Sequence, residues 1–157
     1  MTGDFEKLAY EAALRSLDKQ EAYVEELRAR TGVLLAASSL AASFLGQQAF
    51  QGSNPRILVV AALLAFFVSV GTGVFVLLPK QGLIFAEKGV RLYEGLFAVR
   101  EDLPEAYRRL AYELDRFWKS NDAKIQRLIR AFIVAAAALI VEILALALLL
   151  WDTLFQL

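Results

Sequence analysis

The chain has 157 residues, enough for about one domain, and combines 58% hydrophobic with 22% charged residues. Its formal net charge is zero, with 17 basic and 17 acidic residues, so no overall field points to nucleic acid. Cys and His are both absent, which excludes disulfides, thiol chemistry and imidazole as a base or metal ligand. We therefore expect neither an enzyme nor a cofactor or metal site, and we expect apolar blocks in lipid with charged blocks in water.

The pattern along the chain predicts an all-α integral membrane protein. We expect three transmembrane helices with long cytoplasmic helical extensions that form a helical bundle stalk. Residues 1–30 are rich in strong helix formers and predict a cytoplasmic amphipathic helix. Its stripe, spaced by three and four residues with Gln20 inside it, consists of Tyr10, Ala13, Leu17, Val24, Leu27 and Thr31. Nothing separates this stripe from the first span, so one long helix is expected.

Three stretches are long and apolar enough to cross a bilayer, which takes about 20 residues. They are residues 31–50, 57–79 and 131–151. The turn formers at 51–56 predict that the first two spans make a membrane hairpin over 31–79.

Basic residues predict the orientation of the spans in the cell membrane, because cytoplasmic loops carry an excess of Lys and Arg. Only Arg56 lies in the hairpin turn, whereas the other ends of the spans are flanked by Arg28, Arg30, Lys80, Lys124, Arg127 and Arg130. The N-terminus and residues 80–130 should therefore be cytoplasmic. The hairpin turn and the tail 152–157 of this multi-pass protein should lie outside.

Residues 80–130 predict a cytoplasmic helical hairpin. The stripe of its first helix is Phe85, Gly89, Leu92, Leu96, Val99 and Leu103. A second helix should begin with Asp102 as N-cap, Pro104 in the first turn and Glu105 at the third position, and should continue unbroken to Trp151. The stripe of this second helix is Tyr107, Leu110, Leu114, Phe117, Asn121, Ile125, Leu128 and Phe132.

The stripes of the stalk allow two arrangements. They can close a three-helix bundle within one chain, or they can pair between chains as a coiled coil and build a homo-oligomer. Asn121, at a seam position, is the candidate for fixing register or oligomeric state in the second arrangement.

Glu142, in the middle of the third span, is the position of greatest chemical interest. A carboxylate at that depth costs about 2.5–3.5 kcal/mol, and such residues mark functional sites. It lies on a stripe of small residues, Ala131, Ala135, Ala138 and Ala145, and should therefore face protein. The small or polar stripes of the other spans are Gly32, Ala36, Ser39, Ser43 and Gly46, and Ala62, Ala65, Ser69, Thr72 and Val76.

Hydroxyl groups are expected at the depth of Glu142. They belong to Ser39, Ser43, Ser69 and Thr72, and no basic residue lies at that level. In one interpretation, Glu142 is a neutral acid hydrogen-bonded to these hydroxyls, because removal from water disfavours the charged form. In the other, it faces a water-filled path as a proton site or as part of a ring of carboxylates that selects cations. Gly71 and Gly73 in the second span mark either close helix packing or a flexible point for gating.

The run ELRARTGVLLAASSLAASFLG, residues 26–46, resembles the start of a group of small bacterial membrane proteins in which a charged helix continues into a membrane hairpin. The wider layout, with cytoplasmic helices flanking a two-span hairpin, is similar to the SLATT effector domains of bacterial conflict systems. That resemblance implies action on the membrane, as a pore. The third span departs from the two-span plan of that group, and the resemblance implies no site residues.

Two functions from different classes follow. The first is a homo-oligomeric ion channel or pore-forming effector, in which Glu142, Ser39, Ser43 and Ser69 line or brace the path. The alternative is a non-conducting membrane scaffold or regulator whose cytoplasmic stalk recruits a cytosolic protein partner. Both place the chain in the lipid bilayer.

Overall fold

The computed structural model describes residues 3–50, 56–79, 83–85 and 102–155. These residues form three α-helices and no β-strand: α1 (Gly3–Phe50), α2 (Arg56–Leu77) and α3 (Leu103–Phe155). The predicted all-α class is confirmed. Also confirmed are the long unbroken helices at either end of the chain, of 48 and 53 residues. No proline interrupts either helix beyond its first turn, which is where proline is tolerated.

The start of α3 follows the predicted capping pattern. Asp102 precedes the helix, and its carbonyl accepts the first helical hydrogen bond from the Ala106 amide at 3.1 Å. Pro104 and Glu105 occupy the first turn, where a missing amide and a negative charge are both favourable. Glu105 also accepts a hydrogen bond of 2.7 Å from the side chain of Arg108.

The predicted helix over 85–103 meets the described residues only at its two ends. Residues 83–85 have no regular secondary structure, and Leu103 is the first residue of α3. The rest of that stripe, like the predicted turn at 51–55, lies outside the described residues. The helices end at other residues than the predicted spans: α2 ends at Leu77, and α3 continues through residues 152–155.

The chain divides into two compact units. The charged unit consists of Met1–Glu26 and Lys80–Gln126, and the apolar unit consists of Leu27–Pro79 and Arg127–Leu157. Both α1 and α3 contribute a segment to each unit.

In the charged unit, α1 and α3 run parallel and pack through their predicted stripes. The Tyr10 and Tyr107 rings lie 5.5 Å apart, and further along both helices Gln20 donates to the carbonyl of Trp118 at 3.3 Å. The buried apolar residues here include Leu17, Val24, Leu114 and Ile125. Ion pairs between residues four apart, such as Lys119 with Asp115, lie on the exposed surface.

The apolar unit has a different distribution of side chains. Its interior is built largely of small residues, including Ala41, Ala62, Ala65, Ala135, Ala138 and Ala145. Its exposed surface carries large apolar side chains, including Ile57, Leu64, Phe67, Ile133, Ile140 and Leu144. Small interiors allow the close helix contacts that are typical in lipid, where a large apolar side chain gains nothing by leaving the surface.

Two helices of the described residues are long and apolar enough to cross a membrane. One is α2 over Ile57–Leu77, and the other is α3, within Leu103–Trp151. The predicted first span, in α1, is not among them. Ser38, Ser39 and Ser43 lower its apolar character, and Gln47 and Gln48 follow near the end of the helix.

Candidate functional site

Glu142 lies inside the apolar unit and is fully buried. Its Oε2 atom accepts a hydrogen bond of 2.7 Å from the hydroxyl of Ser38 on α1, which is also fully buried. The two residues are 104 positions apart in sequence, so this bond ties α3 directly to α1. The prediction that Glu142 faces protein is confirmed.

The small residues of α3 explain why the carboxylate can be enclosed. Ala135, Ala138 and Ala145 are buried on the same side of the helix as Glu142. On α2, the predicted stripe is likewise turned inward, with Ala62, Ala65, Ser69 and Val76 buried. Small side chains on neighbouring helices bring the backbones close and leave Glu142 no exposed surface.

The hydrogen-bond partner expected from sequence is corrected by one residue. Ser38, which sequence reasoning missed, holds Glu142, whereas Ser39 and Ser43 are exposed. Their hydroxyls donate to carbonyls of their own helix, from Ser39 to Leu35 and from Ser43 to Ser39, each at 2.9 Å. Counting from the membrane edge gives the depth of a residue but not its rotation, and successive helical residues differ by about 100°.

The remaining hydroxyl candidates, on α2, differ from each other. Thr72 is half-buried and donates to the carbonyl of Val68 at 2.6 Å. Ser69 is fully buried, and its Oγ atom has no hydrogen-bond partner. The same is true of Oε1 of Glu142. Both of these oxygen atoms are therefore buried without a partner, as is Nε of Arg28 at the start of the apolar unit.

The two glycines of α2 have different surroundings. A Cβ atom on Gly73 would lie 2.7 Å from Cδ2 and 3.1 Å from Cγ of Leu35 on α1. A Cβ atom on Gly71 would meet nothing within 4 Å. Gly73 therefore allows α1 and α2 to pack closely, in agreement with the packing interpretation. Gly71 plays no part in that contact.

Asn121, in the charged unit, pairs within its own chain. It is fully buried, its Nδ2 donates to the carbonyl of Ile84 at 2.8 Å, and its Oδ1 accepts from the Ile84 amide at 3.1 Å. Ile84 is not helical, so its backbone groups lack partners in a helix of their own. Within the chain, the Asn121 amide therefore holds this irregular segment. A role in fixing register between chains stays a prediction.

A groove of about 480 Å³ lies on the charged unit between α1 and α3. Its lining residues are Phe5, Glu6, Ala9, Ala13, Arg108, Ala111, Tyr112 and Asp115. Two aromatic side chains stand out from it, since Phe5 is 75% and Tyr112 72% exposed. The Oε2 atom of Glu6 is buried there without a hydrogen-bond partner.

The described residues contain no group of three or more acidic side chains arranged to hold a metal ion. Comparison of the chain with protein-family models, with curated proteins and with solved structures gives no match.

Proposed function

We propose that this chain is a non-enzymatic, homo-oligomeric membrane protein that conducts ions along a path between its copies. In this proposal α1 supplies a third span beside α2 and α3. The N-terminus and the charged unit lie in the cytoplasm, because the basic residues that flank the spans are on that side.

The observation that carries the proposal is the exposed face of α1 in the apolar unit. Part of this face is a stripe of small and hydroxyl-bearing residues, namely Gly32, Ala36, Ser39 and Ser43, all of them exposed. Beside it runs a stripe of large apolar residues, Val33, Leu40 and Phe44. Large side chains suit lipid, whereas a small polar face suits close approach of another helix. A second copy of the chain would cover this face.

The roles of the candidate residues follow from their positions. Ser39 and Ser43 would line the path, because their hydroxyls lie on the face that the copies share. Glu142 and Ser69 would brace the three helices of each copy from inside. A ring of carboxylates around the path is not favoured, because Glu142 is enclosed by its own chain.

Single cysteines test this proposal cleanly, because the natural chain has none. We expect Ser39→Cys, in liposomes under mild oxidation, to form disulfide-linked dimers and to conduct ions. A charged thiol reagent added to the reduced protein, whose thiols are free, should lower the ion flux severalfold. The matched control is Leu40→Cys, one residue along on the apolar stripe, which should give neither cross-links nor sensitivity to the reagent.

Two results would contradict the proposal. One is a strictly monomeric protein in detergent and in liposomes, since three helices enclose no channel. The other is reagent sensitivity at Leu40→Cys and not at Ser39→Cys, which would put the apolar stripe on the path. Glu142→Gln should leave the flux unchanged at acidic and neutral pH, because the side chain does not reach the shared face.

The groove on the charged unit favours a second candidate function, a membrane scaffold that recruits a cytosolic partner. An amphipathic helix with one basic side chain would fit its alanine floor, its exposed aromatic rings and the unpaired Glu6 oxygen. Absence of ion flux from folded, inserted and cross-linkable protein would support this second function. Phe5→Ala and Tyr112→Ala would then be expected to abolish binding of the partner.

A further inference from the structure

We propose that the groove of the charged unit is occupied by α1 of a second copy of this chain. In this contact the Lys7 ammonium group of the second copy lies against the Glu6 carboxylate, and its Leu14 side chain lies on the alanine floor of the groove. The inference rests on the proposed homo-oligomer, and it adds a contact between copies in water to the contact in the membrane.

The groove contains one charged side chain, Glu6, that forms no ion pair with any described residue. The other two charges of its lining are neutralised within the chain, because Asp115 pairs with Lys119 at 2.6 Å and Arg108 pairs with Glu105 at 2.7 Å. The Oε2 atom of Glu6 is buried without a hydrogen-bond partner. Partial burial removes water from this carboxylate, so a cation beside it is favourable. The occupant should therefore bring a positive group to this end of the groove.

The same stretch of α1 exposes a lysine and two leucines. Lys7 is exposed and forms no ion pair with any residue that the structure describes. Leu8 is 62% and Leu14 36% exposed, in a unit that otherwise buries leucines. Lys7 and Leu14 are seven residues apart, close to two helical turns, so they lie on the same side of α1. Glu6 and Ala13, which line the groove, have the same spacing.

Membrane insertion sets the height at which two copies can meet. Copies that share one orientation are related by rotation about the membrane normal, which keeps every residue at its own height. The groove can then contact only those residues of a neighbour that lie at its own level. Lys7 follows Glu6 and Leu14 follows Ala13, so each pair differs in height by about 1.5 Å. One neighbouring helix therefore meets both ends of the groove at once.

The α3 side of the groove lies at the same level. The bond from Gln20 to Trp118 joins residues of α1 and α3 that are 98 positions apart. By that offset Leu14 is level with Tyr112, next to Ala111. The small side chain of Ala111 leaves room for a leucine from the neighbour. That leucine would also cover part of the two exposed aromatic rings of the groove, which is favourable in water.

A cytosolic helix with a basic side chain is the other occupant that fits this chemistry. A second copy is favoured because the chain itself supplies the lysine and the leucine at the required height and spacing. Copies held together in a membrane also have a high effective concentration for one another, so even a small contact between them forms. The contact leaves Leu17 and Val24 in place, because those residues pack α1 onto α3 within one chain.

Cysteine pairs test the inference in the full chain. We expect Leu14→Cys and Ala111→Cys, reconstituted together in liposomes under mild oxidation, to form mixed disulfide-linked dimers that neither variant forms alone. A tag on one variant separates the mixed dimers by mass. Adding Glu6→Lys or Lys7→Glu to both variants should lower the yield severalfold, because two like charges then meet. Adding both substitutions together should restore the yield, because the pair is only reversed.

The control for chance collisions is Ser120→Cys in place of Ala111→Cys. Ser120 is exposed about 13.5 Å further along α3 and lies outside the groove, so it should not cross-link to Leu14→Cys. Circular dichroism should show unchanged helix content in the charge variants.

The outcomes separate this inference from the proposed function. Absence of mixed dimers while Ser39→Cys still cross-links would overturn the inference alone and leave the groove to a cytosolic helix. Mixed dimers without cross-linking at Ser39→Cys would support the inference and contradict the proposed path. A strictly monomeric protein would overturn both. Equal yields with Ala111→Cys and Ser120→Cys, or a yield that Glu6→Lys does not change, would also overturn the inference.

Discussion

The charged unit and the apolar unit differ in the side chains that cover their surfaces. In the charged unit Leu17, Val24 and Leu114 are buried, and ion pairs cover the outside. In the apolar unit Phe67 is 66% and Ile140 59% exposed, while the buried residues combine small side chains with leucines such as Leu149. The first arrangement is stabilised by removal of apolar surface from water. The second suits a solvent that is itself apolar, where close packing and hydrogen bonds hold helices together.

The buried polar groups of the two units also differ in the kind of partner to which they bond. Asn121 of the charged unit bonds to the backbone of Ile84, a residue outside any helix. Glu142 of the apolar unit bonds to the side chain of Ser38, within helices whose backbone groups are already paired. Irregular backbone must find partners wherever it is buried, and in lipid it is largely avoided. Side-chain pairs are then left to specify which helix faces meet.

The largest expected effect is the loss of unfolding free energy when a fully buried leucine is replaced by alanine, and it should differ between the two units. Leu17→Ala should lower the free energy of unfolding by about 2–5 kcal/mol, because it loses both apolar burial and packing. Leu149→Ala should cost less, about 1–2 kcal/mol, because lipid solvates a leucine as well as protein does and only the packing loss remains. Unfolding in lipid-containing micelles, followed by circular dichroism, measures both.

Equal losses of unfolding free energy in Leu17→Ala and Leu149→Ala would contradict the difference between the units. They would mean that the apolar unit is held by removal of its core from water, as a soluble protein is. Leu40→Ala, on the exposed apolar stripe of α1, is the control for helix propensity and surface change. In the monomer it should have little effect on the free energy of unfolding.

The long helices of this chain were predictable from its sequence because local signals agree. Helix formers without internal proline predict α1 and α3, and Asp102, Pro104 and Glu105 mark the start of α3. In the charged unit the stripe itself was predictable, since Leu17 and Val24 stand out among charged neighbours. Where water is the solvent, the apolar face of a helix is the buried face.

In the apolar unit the buried face could not be predicted in this way. In that part of α1, apolar residues lie on the buried face, as Leu34 does, and on the exposed face, as Leu40 does. Hydropathy therefore does not distinguish the faces, and residue size was the remaining guide. That guide selected the stripe of Ser39 and Ser43, which is exposed, over Ser38, which is buried. The partner of Asn121 was equally hidden, because Ile84 is neither helical nor near in sequence.

A second, smaller effect should separate the two glycines of α2. Gly73→Val places side-chain atoms against Leu35 and should cost about 1–3 kcal/mol more in unfolding free energy than Gly71→Val, because an already packed contact is overfilled. Both variants change the intrinsic preference for helix equally, so the difference isolates the contact. Leu35→Ala should recover part of the loss at Gly73 and none at Gly71. Equal costs for the two substitutions would mean that α1 and α2 are not in close contact there.

The smallest expected effect concerns Asn121. It tests whether the hydrogen bonds of this side chain hold the segment at Ile84 in the charged unit. Asn121→Ala leaves the amide and carbonyl of Ile84 without partners. The free energy of unfolding should fall by about 1–2 kcal/mol and not by more, because water can reach part of Ile84. Asn121→Asp keeps the acceptor for the Ile84 amide but loses the donor, so its cost should be intermediate, and Ser120→Ala is the exposed neighbouring control. Hydrogen exchange of the Ile84 amide reports the bond itself and should accelerate in Asn121→Ala alone among these variants.

If that amide exchanges at the same rate with and without the Asn121 side chain, the bond does not hold the segment. Asn121 would then be favoured as a contact between copies, because a buried side-chain amide without a partner in its own chain must find one elsewhere.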